Sequence, residues 1–219
     1  SGCGKTTLLY LLAGLQLPSA GQVSVDGELI RRPRPQTGLI LQDYGLLPWA
    51  TVQDNIRLGL RIRELYGPDG LHAPARPASA STADVRFWLE RLGLSGLERQ
   101  FPGQRSGGQR QRVAIARTLL LQPDLLLMDE PFASLDLPTR QNLEDLTTQL
   151  WREQGFTLVV VTHAIEEAAA LGQFILVMGQ PPHRQPVIVA NPVFGQPQAR
   201  ESEPYRALCR QLKSSLEVL

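Results

Sequence analysis

The chain has 219 residues, enough for one large domain with a subdomain. It carries 22 Lys and Arg against 21 Asp and Glu, and this net charge of +1 argues against a general affinity for nucleic acid or anionic lipid. Two cysteines make no disulfide framework, and no apolar run reaches the ~18 residues that span a bilayer, so we expect a soluble protein of a reducing compartment.

The chain opens on a glycine-rich loop, Ser1-Gly2-Cys3-Gly4-Lys5-Thr6-Thr7. Gly4-Lys5-Thr6 fills the last three places of the phosphate-binding pattern G-x-x-x-x-G-K-[ST]. Glycines let successive N–H groups point at one phosphate, the Lys5 ammonium reaches the terminal phosphates, and the Thr6 hydroxyl suits a magnesium ion. The alternative is a glycine-rich helix start with an incidental Lys-Thr pair.

A phosphate loop is anchored by a strand that comes before it, and no strand precedes Ser1. We therefore expect these 219 residues to be a fragment of a longer protein. The preceding strand should be central in the sheet. Without it, ladder groups stay unpaired and apolar edges are exposed, so we expect the fragment alone to be unstable or to aggregate.

Periodicity predicts the elements of the first half of the chain. Apolar residues at helical spacing predict a helix over 5–12, and alternation around Asp26-Gly27 predicts an antiparallel hairpin over 22–30. A short apolar strand over 38–41 delivers Gln42, and helical spacing resumes at Thr51. Gly, Pro, Ala and Ser dominate 66–83, which indicates an exposed loop or insertion.

The second half alternates strands with helices. The continuous apolar run at 125–128 is typical of a strand buried on both faces of a parallel sheet, and the run at 157–161 is similar. Helices are predicted over 85–92, from Arg105-Ser106-Gly107-Gly108-Gln109 to about 120, and over 138–153, 165–171 and 205–218; further strands are predicted over 174–178 and 187–189. This order predicts a parallel α/β sheet, whose functional residues gather at the carboxyl ends of the strands.

Four polar residues fall at those strand ends: Gln42, Asp129, Glu130 and His163. Asp129 follows four apolar residues, the arrangement that holds magnesium in phosphate-loop enzymes. Glu130 beside it is the candidate general base for a water that attacks the γ-phosphate. An adjacent acidic pair can also be a capping or turn feature, but the apolar run before it and the phosphate loop disfavour that alternative.

The motifs resemble, in order and spacing, those of the ATP-binding subunits of ABC transporters. The resemblance is carried by Gln42, Arg105–Gln109, Leu125–Glu130, Ser134-Leu135-Asp136 and His163. It implies a phosphate-loop NTPase of the α/β class with a mainly parallel core sheet, an antiparallel β piece and an inserted helical subdomain over about 51–121. The ATPase domain would cover 1–178, and 179–219 would be a proline-rich extension with a terminal helix.

The resemblance also implies roles for single residues. ATP would be held by Ser1, Gly2, Cys3, Gly4, Lys5, Thr6 and Thr7, and by the signature loop Ser106, Gly107, Gly108 and Gln109 of the opposite subunit. Magnesium would be bound by Thr6, Gln42 and Asp129. Glu130, His163 and Gln42 would be catalytic, with His163 on the γ-phosphate and Gln42 on the attacking water, and Asp136 would lie at the dimer seam. The signature begins with Arg105, where the family usually has leucine. This difference is either a tolerated surface substitution or a change that loosens the loop.

Leu46-Leu47-Pro48-Trp49, Pro102-Gly103-Gln104 and the segment 162–168 resemble the importers of nitrate, sulfonates and taurine. The resemblance implies a peripheral ATPase on the cytoplasmic face of the membrane, as a dimer of like subunits that drives permease subunits through contacts near Gln42 and Trp49. A solute-binding protein would act indirectly, and no nucleic acid is expected. One alternative is a soluble ABC-type ATPase that acts on nucleic acid or ribosomes. Proteins of that kind usually carry paired cassettes or long coiled coils. The other alternative is a nonfunctional remnant.

Overall fold

A computed structural model describes residues 3–66, 82–179, 186–196 and 199–218. Its helices are α1 (Lys5–Leu12), α2 (Val52–Tyr66), α3 (Thr82–Arg91), α4 (Gly107–Leu119), α5 (Leu137–Gln154), α6 (Ile165–Leu171) and α7 (Glu203–Val218). Its strands are β1 (Ser24–Val25), β2 (Glu28–Leu29), β3 (Thr37–Ile40), β4 (Leu125–Asp129), β5 (Thr157–Val161), β6 (Phe174–Val177) and β7 (Val187–Ala190). Nearly all of the loop predicted over 66–83 lies outside the described residues.

The central sheet is parallel, with the order β3-β4-β5. Every residue of β4 is buried, because Leu125 and Leu127 pack toward α1 while Leu126 and Met128 pack toward the helices on the other face. The predicted parallel sheet and the doubly buried strand β4 are confirmed, whereas the similar burial predicted for 157–161 is wrong, because only Val161 of β5 is buried. The carboxyl edge of the sheet receives the residues at and after the ends of β3, β4 and β5, and these include Gln42, Asp129, Glu130 and His163.

The antiparallel piece is a two-residue hairpin between β1 and β2. Asp26 and Gly27 both have positive φ, 52° and 78°, the conformation of the turn that matches strand twist in tight hairpins. The prediction from the Asp-Gly pair is confirmed.

Helices α2, α3 and α4 share one apolar core with a face of the sheet, with Ile56, Trp88 and Val113 fully or almost fully buried. A buried amide holds the chain that leads into this subdomain. Asn55 accepts from the backbone N–H of Leu47 at 2.8 Å and donates to the Leu47 carbonyl at 3.1 Å, so it fixes the loop after β3 without leaving a polar group unpaired.

Strand β6 does not join the three-stranded sheet. It pairs antiparallel with β7, although the strand-helix alternation predicts a further parallel neighbour. A mostly apolar cleft of about 600 Å³ separates β5 from β6, and Phe174 (68 % exposed) and Leu176 (44 % exposed) line its β6 side. In the described part of the chain, neither strand has a partner on that edge. The strand expected before Ser1 stays a prediction.

The C-terminal segment packs on the rest of the chain. Tyr205, Leu208 and Leu212 of α7 are buried against α6, β6 and β7. Arg200 forms ion pairs with Glu144 at 2.7 Å and Asp145 at 2.8 Å on α5. The domain boundary at residue 178 stays a prediction. Over the described ranges, no helix is long and apolar enough to cross a bilayer.

Candidate functional site

The loop before α1 has the backbone that its glycines predict. Gly4 holds φ +91°, a left-handed conformation that favours glycine, and its carbonyl accepts the first bond of the helix from Leu8 N at 2.9 Å. The Lys5 ammonium donates to Cys3 Sγ at 3.2 Å. Burial raises the pKa of the Cys3 thiol, but the bond and charge of Lys5 outweigh it and hold that pKa below its usual value. Ser1 and Gly2 lie outside the described residues, and Thr7 is exposed on the first turn of α1.

Thr6 and Asp129 meet across the carboxyl edge of the sheet. The Thr6 hydroxyl donates to Asp129 Oδ2 at 3.0 Å, and Asp129 is only 7 % exposed. A hydroxyl beside a carboxylate is a pair of oxygen donors of the kind that magnesium takes from proteins together with substrate phosphates. These donors fit the predicted cation, and the third predicted ligand, Gln42, donates from Nε2 to Glu130, a bond that does not involve its amide oxygen.

Glu130 lies between the two other residues predicted to be catalytic. Gln42 Nε2 donates to Glu130 Oε2 at 3.4 Å, and His163 Nδ1 is 3.2 Å from Glu130 Oε1. The backbone N–H of Glu130 donates to the carbonyl of Val161 at 2.8 Å, and this bond fixes Glu130 at the end of β5. The carboxylate is therefore oriented from both sides while about a quarter of the side chain remains open to solvent.

The signature loop begins α4 with a reciprocal cap. Gln109 N–H donates to Ser106 Oγ at 3.3 Å, and Ser106 N–H donates to Gln109 Oε1 at 3.2 Å. A Cβ added to Gly107 would lie 2.8 Å from Leu135, and one added to Gly108 would lie 2.6 Å from Thr139. An alanine at either position would force a neighbouring side chain to move, because Leu135 and Thr139, just before and at the start of α5, pack directly on the loop.

Asp136 caps α5. Its Oδ2 accepts from Thr139 N–H at 3.2 Å, and the bonds from Thr139 hold the pKa of this carboxyl below its usual value. The signature loop and Asp136 thus share one surface, because both pack at the start of α5. None of these contacts reaches the loop before α1, so the predicted residues form two groups: one around Thr6, Asp129 and Glu130, and one around the starts of α4 and α5.

A cleft of about 330 Å³ connects the two groups. It is lined by Gln42, Asp43, Tyr44, Arg110, Glu130, Ala133 and Ser134. No sequence motif identifies Tyr44 or Arg110 as a site residue, because their importance depends on contacts between distant positions. The one local signal was an aromatic residue followed by glycine two positions after Gln42.

Two further features that carry the resemblance to the importers, Trp49 and the segment 162–168, also lie within the described residues. Trp49 is 74 % exposed, so its side chain is open to the predicted permease contact. Glu167 is 2 % exposed and hydrogen-bonded to Thr162, the residue before His163. Thr162 Oγ1 in turn accepts from Ala164 N–H at 3.0 Å. This buried acid therefore supports the turn that carries His163.

Comparison with known proteins agrees with this geometry. The family model described as ABC transporter matches residues 1–133. An aliphatic sulfonates import ATP-binding protein of Bacillus cereus is 36 % identical over 217 residues, which cover 99 % of this chain and 80 % of the relative. Taurine import ATP-binding proteins of Pseudomonas aeruginosa and Yersinia pestis are 44 % and 41 % identical, over 84 % and 100 % of this chain and 66 % and 79 % of the relatives.

Solved structures give the same result. A dimeric ATP-binding cassette in a post-hydrolysis state with ADP and Pi has a TM-score of 0.66 and 30 % identity, covering 80 % of this chain and 76 % of its own. A subunit of an ABC transporter complex from Clostridium perfringens has a TM-score of 0.68 and 26 % identity, and the match covers 88 % of this chain and 74 % of that subunit. Matches of this extent establish that the chain belongs to the ABC transporter family.

Proposed function

We propose that the chain is the ATP-binding and ATP-hydrolysing subunit of an importer for a small solute of the nitrate, sulfonate or taurine class. The observation that carries the proposal is the position of Glu130 between Gln42 and His163, next to the Thr6–Asp129 pair. The names of the taurine and sulfonate relatives support the solute class.

In this mechanism the loop before α1 binds the phosphates of ATP, because the helix start and Lys5 favour a polyanion there. Thr6, Asp129 and the amide oxygen of Gln42 would hold a magnesium ion, which when bound neutralises charge on the phosphates. Glu130 accepts a proton from the attacking water, Gln42 orients that water, and His163 hydrogen-bonds the γ-phosphate.

The signature loop and Asp136 would act on ATP held by a second subunit. This proposal is supported by the separation of the two groups of residues within one chain and by the dimeric state of the cassette structure that resembles it. Permease subunits would be contacted from the surface near Gln42 and Trp49, where the Trp49 side chain is apolar and open to solvent. The subunit would thus work at the cytoplasmic face of the membrane.

The test is ATP hydrolysis and ATP-dependent dimerisation by the complete natural protein and its Glu130→Gln variant, at matched magnesium. We expect the variant to lose hydrolysis but to retain ATP-dependent dimers, because only the proton acceptor is removed. Glu90→Gln, an exposed change of the same chemistry on α3, is the control and should match the wild type. A wild-type protein that neither binds nor hydrolyses ATP would support the nonfunctional remnant.

The import function needs its own measurement. Reconstituted with its permease and binding protein in vesicles, the protein should drive uptake of taurine, an alkanesulfonate or nitrate, and Glu130→Gln should abolish it. ATP hydrolysis without uptake of any of the three would refute this solute class. The net charge of +1 and the named relatives favour transport over the nucleic-acid alternative.

A further inference from the structure

Tyr44 lies where three segments with predicted site residues meet. It comes two residues after Gln42 and is 6 % exposed despite its hydroxyl. Its φ is +63°, a left-handed conformation that is uncommon for a bulky residue. An aromatic side chain held in this backbone conformation needs support from its surroundings, and the structure provides it from α4 and from the segment before α5.

The first contact joins Tyr44 to the segment before α5. The Tyr44 hydroxyl and Ser134 Oγ lie 3.0 Å apart in a hydrogen bond in which either can donate. Ser134 is two residues before Asp136, the cap of α5. One bond between side chains 90 positions apart in the sequence thus connects the loop of Gln42 to the start of α5.

The second set of contacts comes from α4, the helix that begins at the signature loop. Arg117 donates to the carbonyls of Tyr44 at 2.7 Å and of Gly45 at 2.6 Å. The Arg110 guanidinium lies 5.9 Å from the centre of the Tyr44 ring, within the range of a cation–π contact. A Cβ on Gly107 would lie 3.8 Å from the Tyr44 hydroxyl, so the signature loop itself approaches this side chain.

We propose that Tyr44 is a positioning residue of the ATPase reaction, which links the position of Gln42 to that of Ser134–Asp136 and of the start of α4. The proposal rests on the function proposed above. The loop after Gln42 cannot shift without breaking the bond to Ser134 or moving its partners with it. Since Glu130 lines the same cleft, the link runs beside the candidate base.

The first test compares Tyr44→Phe with Ser134→Ala in the complete natural protein. Each variant removes one partner of the same hydrogen bond and leaves the ring or the backbone in place. We expect each to lower kcat for ATP roughly three- to tenfold with little change in KM, the effect of one lost hydrogen bond. The double variant should be no slower than either single variant, because the bond is already lost.

Tyr205→Phe is the matched control. Tyr205 is 7 % exposed, and its hydroxyl donates to the carbonyl of Glu166 at 2.9 Å, so the change again removes one hydrogen bond from a buried tyrosine. We expect a lower melting temperature and an unchanged kcat. A Tyr44→Phe protein with the kcat of the wild type, or additive losses in the double variant, would overturn the proposal.

Hydrogen exchange gives a readout that does not depend on hydrolysis. Tyr44→Phe should speed amide exchange in 132–137, and Ser134→Ala should speed it in 42–47, each by at least roughly threefold if a single hydrogen bond is lost. Unchanged exchange in the opposite segment would refute the link. A wild-type protein without ATP hydrolysis would refute the proposed function instead, and the exchange result would still decide the role of Tyr44.

Discussion

Glu167 is a buried carboxylic acid, and we expect its contribution to the stability of the protein to fall as the pH rises. The pKa of Glu167 is raised from 4.5 to about 7, and burial is the largest cause. The hydrogen bond with Thr162 and the charge of Arg140 lower the pKa, whereas the charges of Glu144 and Glu130 raise it. Oε1 of Glu167 has no hydrogen-bond partner among the described residues. The side chain is only 2 % exposed, so solvent screens these effects little.

The sign follows from the two pKa values. Between about pH 4.5 and pH 7 the unfolded chain has lost the proton of Glu167 while the folded protein still holds it. At this residue the folded state therefore binds more protons, so the contribution of Glu167 to the unfolding free energy decreases with rising pH until the folded pKa is passed. A pKa difference from 4.5 to about 7 corresponds to roughly 3 kcal/mol of unfolding free energy, at about 1.4 kcal/mol per pKa unit.

Replacement of Glu167 by Gln removes this titration and keeps the shape of the side chain. Urea unfolding of the complete natural protein at about pH 5 and about pH 8 would measure the difference in unfolding free energy between variant and wild type. We expect that difference to favour Glu167→Gln by about 2.5 kcal/mol more at the higher pH.

Glu166→Gln is the matched control, since Glu166 is the preceding residue on α6 and is exposed. It should leave the pH dependence of the wild type unchanged. A difference in unfolding free energy between Glu167→Gln and the wild type that is equal at both pH values would refute the reasoning. It would mean that ionisation of Glu167 does not destabilise the folded protein.

Three further predictions concern packing and the site. Gly108→Ala places a Cβ 2.6 Å from Thr139 and should cost about 1–3 kcal/mol of unfolding free energy, whereas Gly103→Ala, which meets nothing within 4 Å, should cost less than about 0.5 kcal/mol in urea unfolding; equal costs would contradict the packing argument. Thr6→Ser should retain magnesium-dependent ATP hydrolysis and Thr6→Val should raise the magnesium needed for it; similar magnesium titrations would exclude a ligand role. The cleft between β5 and β6 predicts that the 219 residues alone bind a hydrophobic dye and melt without a cooperative transition; a cooperative transition at an ordinary mesophilic temperature would refute this.

Local patterns predicted the elements well because each depends on nearby residues. The apolar run of β4, the Asp26-Gly27 turn and the helical spacing of α7 correspond to elements whose ends differ from prediction by few residues. The same holds for Gln42, Glu130 and His163, because parallel strands end at one edge of a sheet and each of these residues follows a predicted strand.

Contacts between distant positions could not be predicted in this way. Nothing in the residues around β6 indicates that it pairs with β7 rather than with β5, since both alternatives bury the same alternate side chains. The bond between Tyr44 and Ser134 and the packing of Gly108 on Thr139 depend on how α4 and α5 approach each other. Such contacts arise from tertiary packing, which the sequence of one segment does not specify.

Glu130 holds φ at +45°, a left-handed conformation that costs a non-glycine residue about 1–3 kcal/mol. Asparagine adopts this conformation more readily than most residues, so Glu130→Asn should relieve strain while it removes the carboxylate. Selection for thermal resistance alone would therefore discard the acid, and only selection for turnover would keep it. In copies of the gene that are no longer under selection for ATP hydrolysis, we expect Glu130 to be replaced early. The residue at this position would therefore indicate whether a lineage still depends on the ATPase activity.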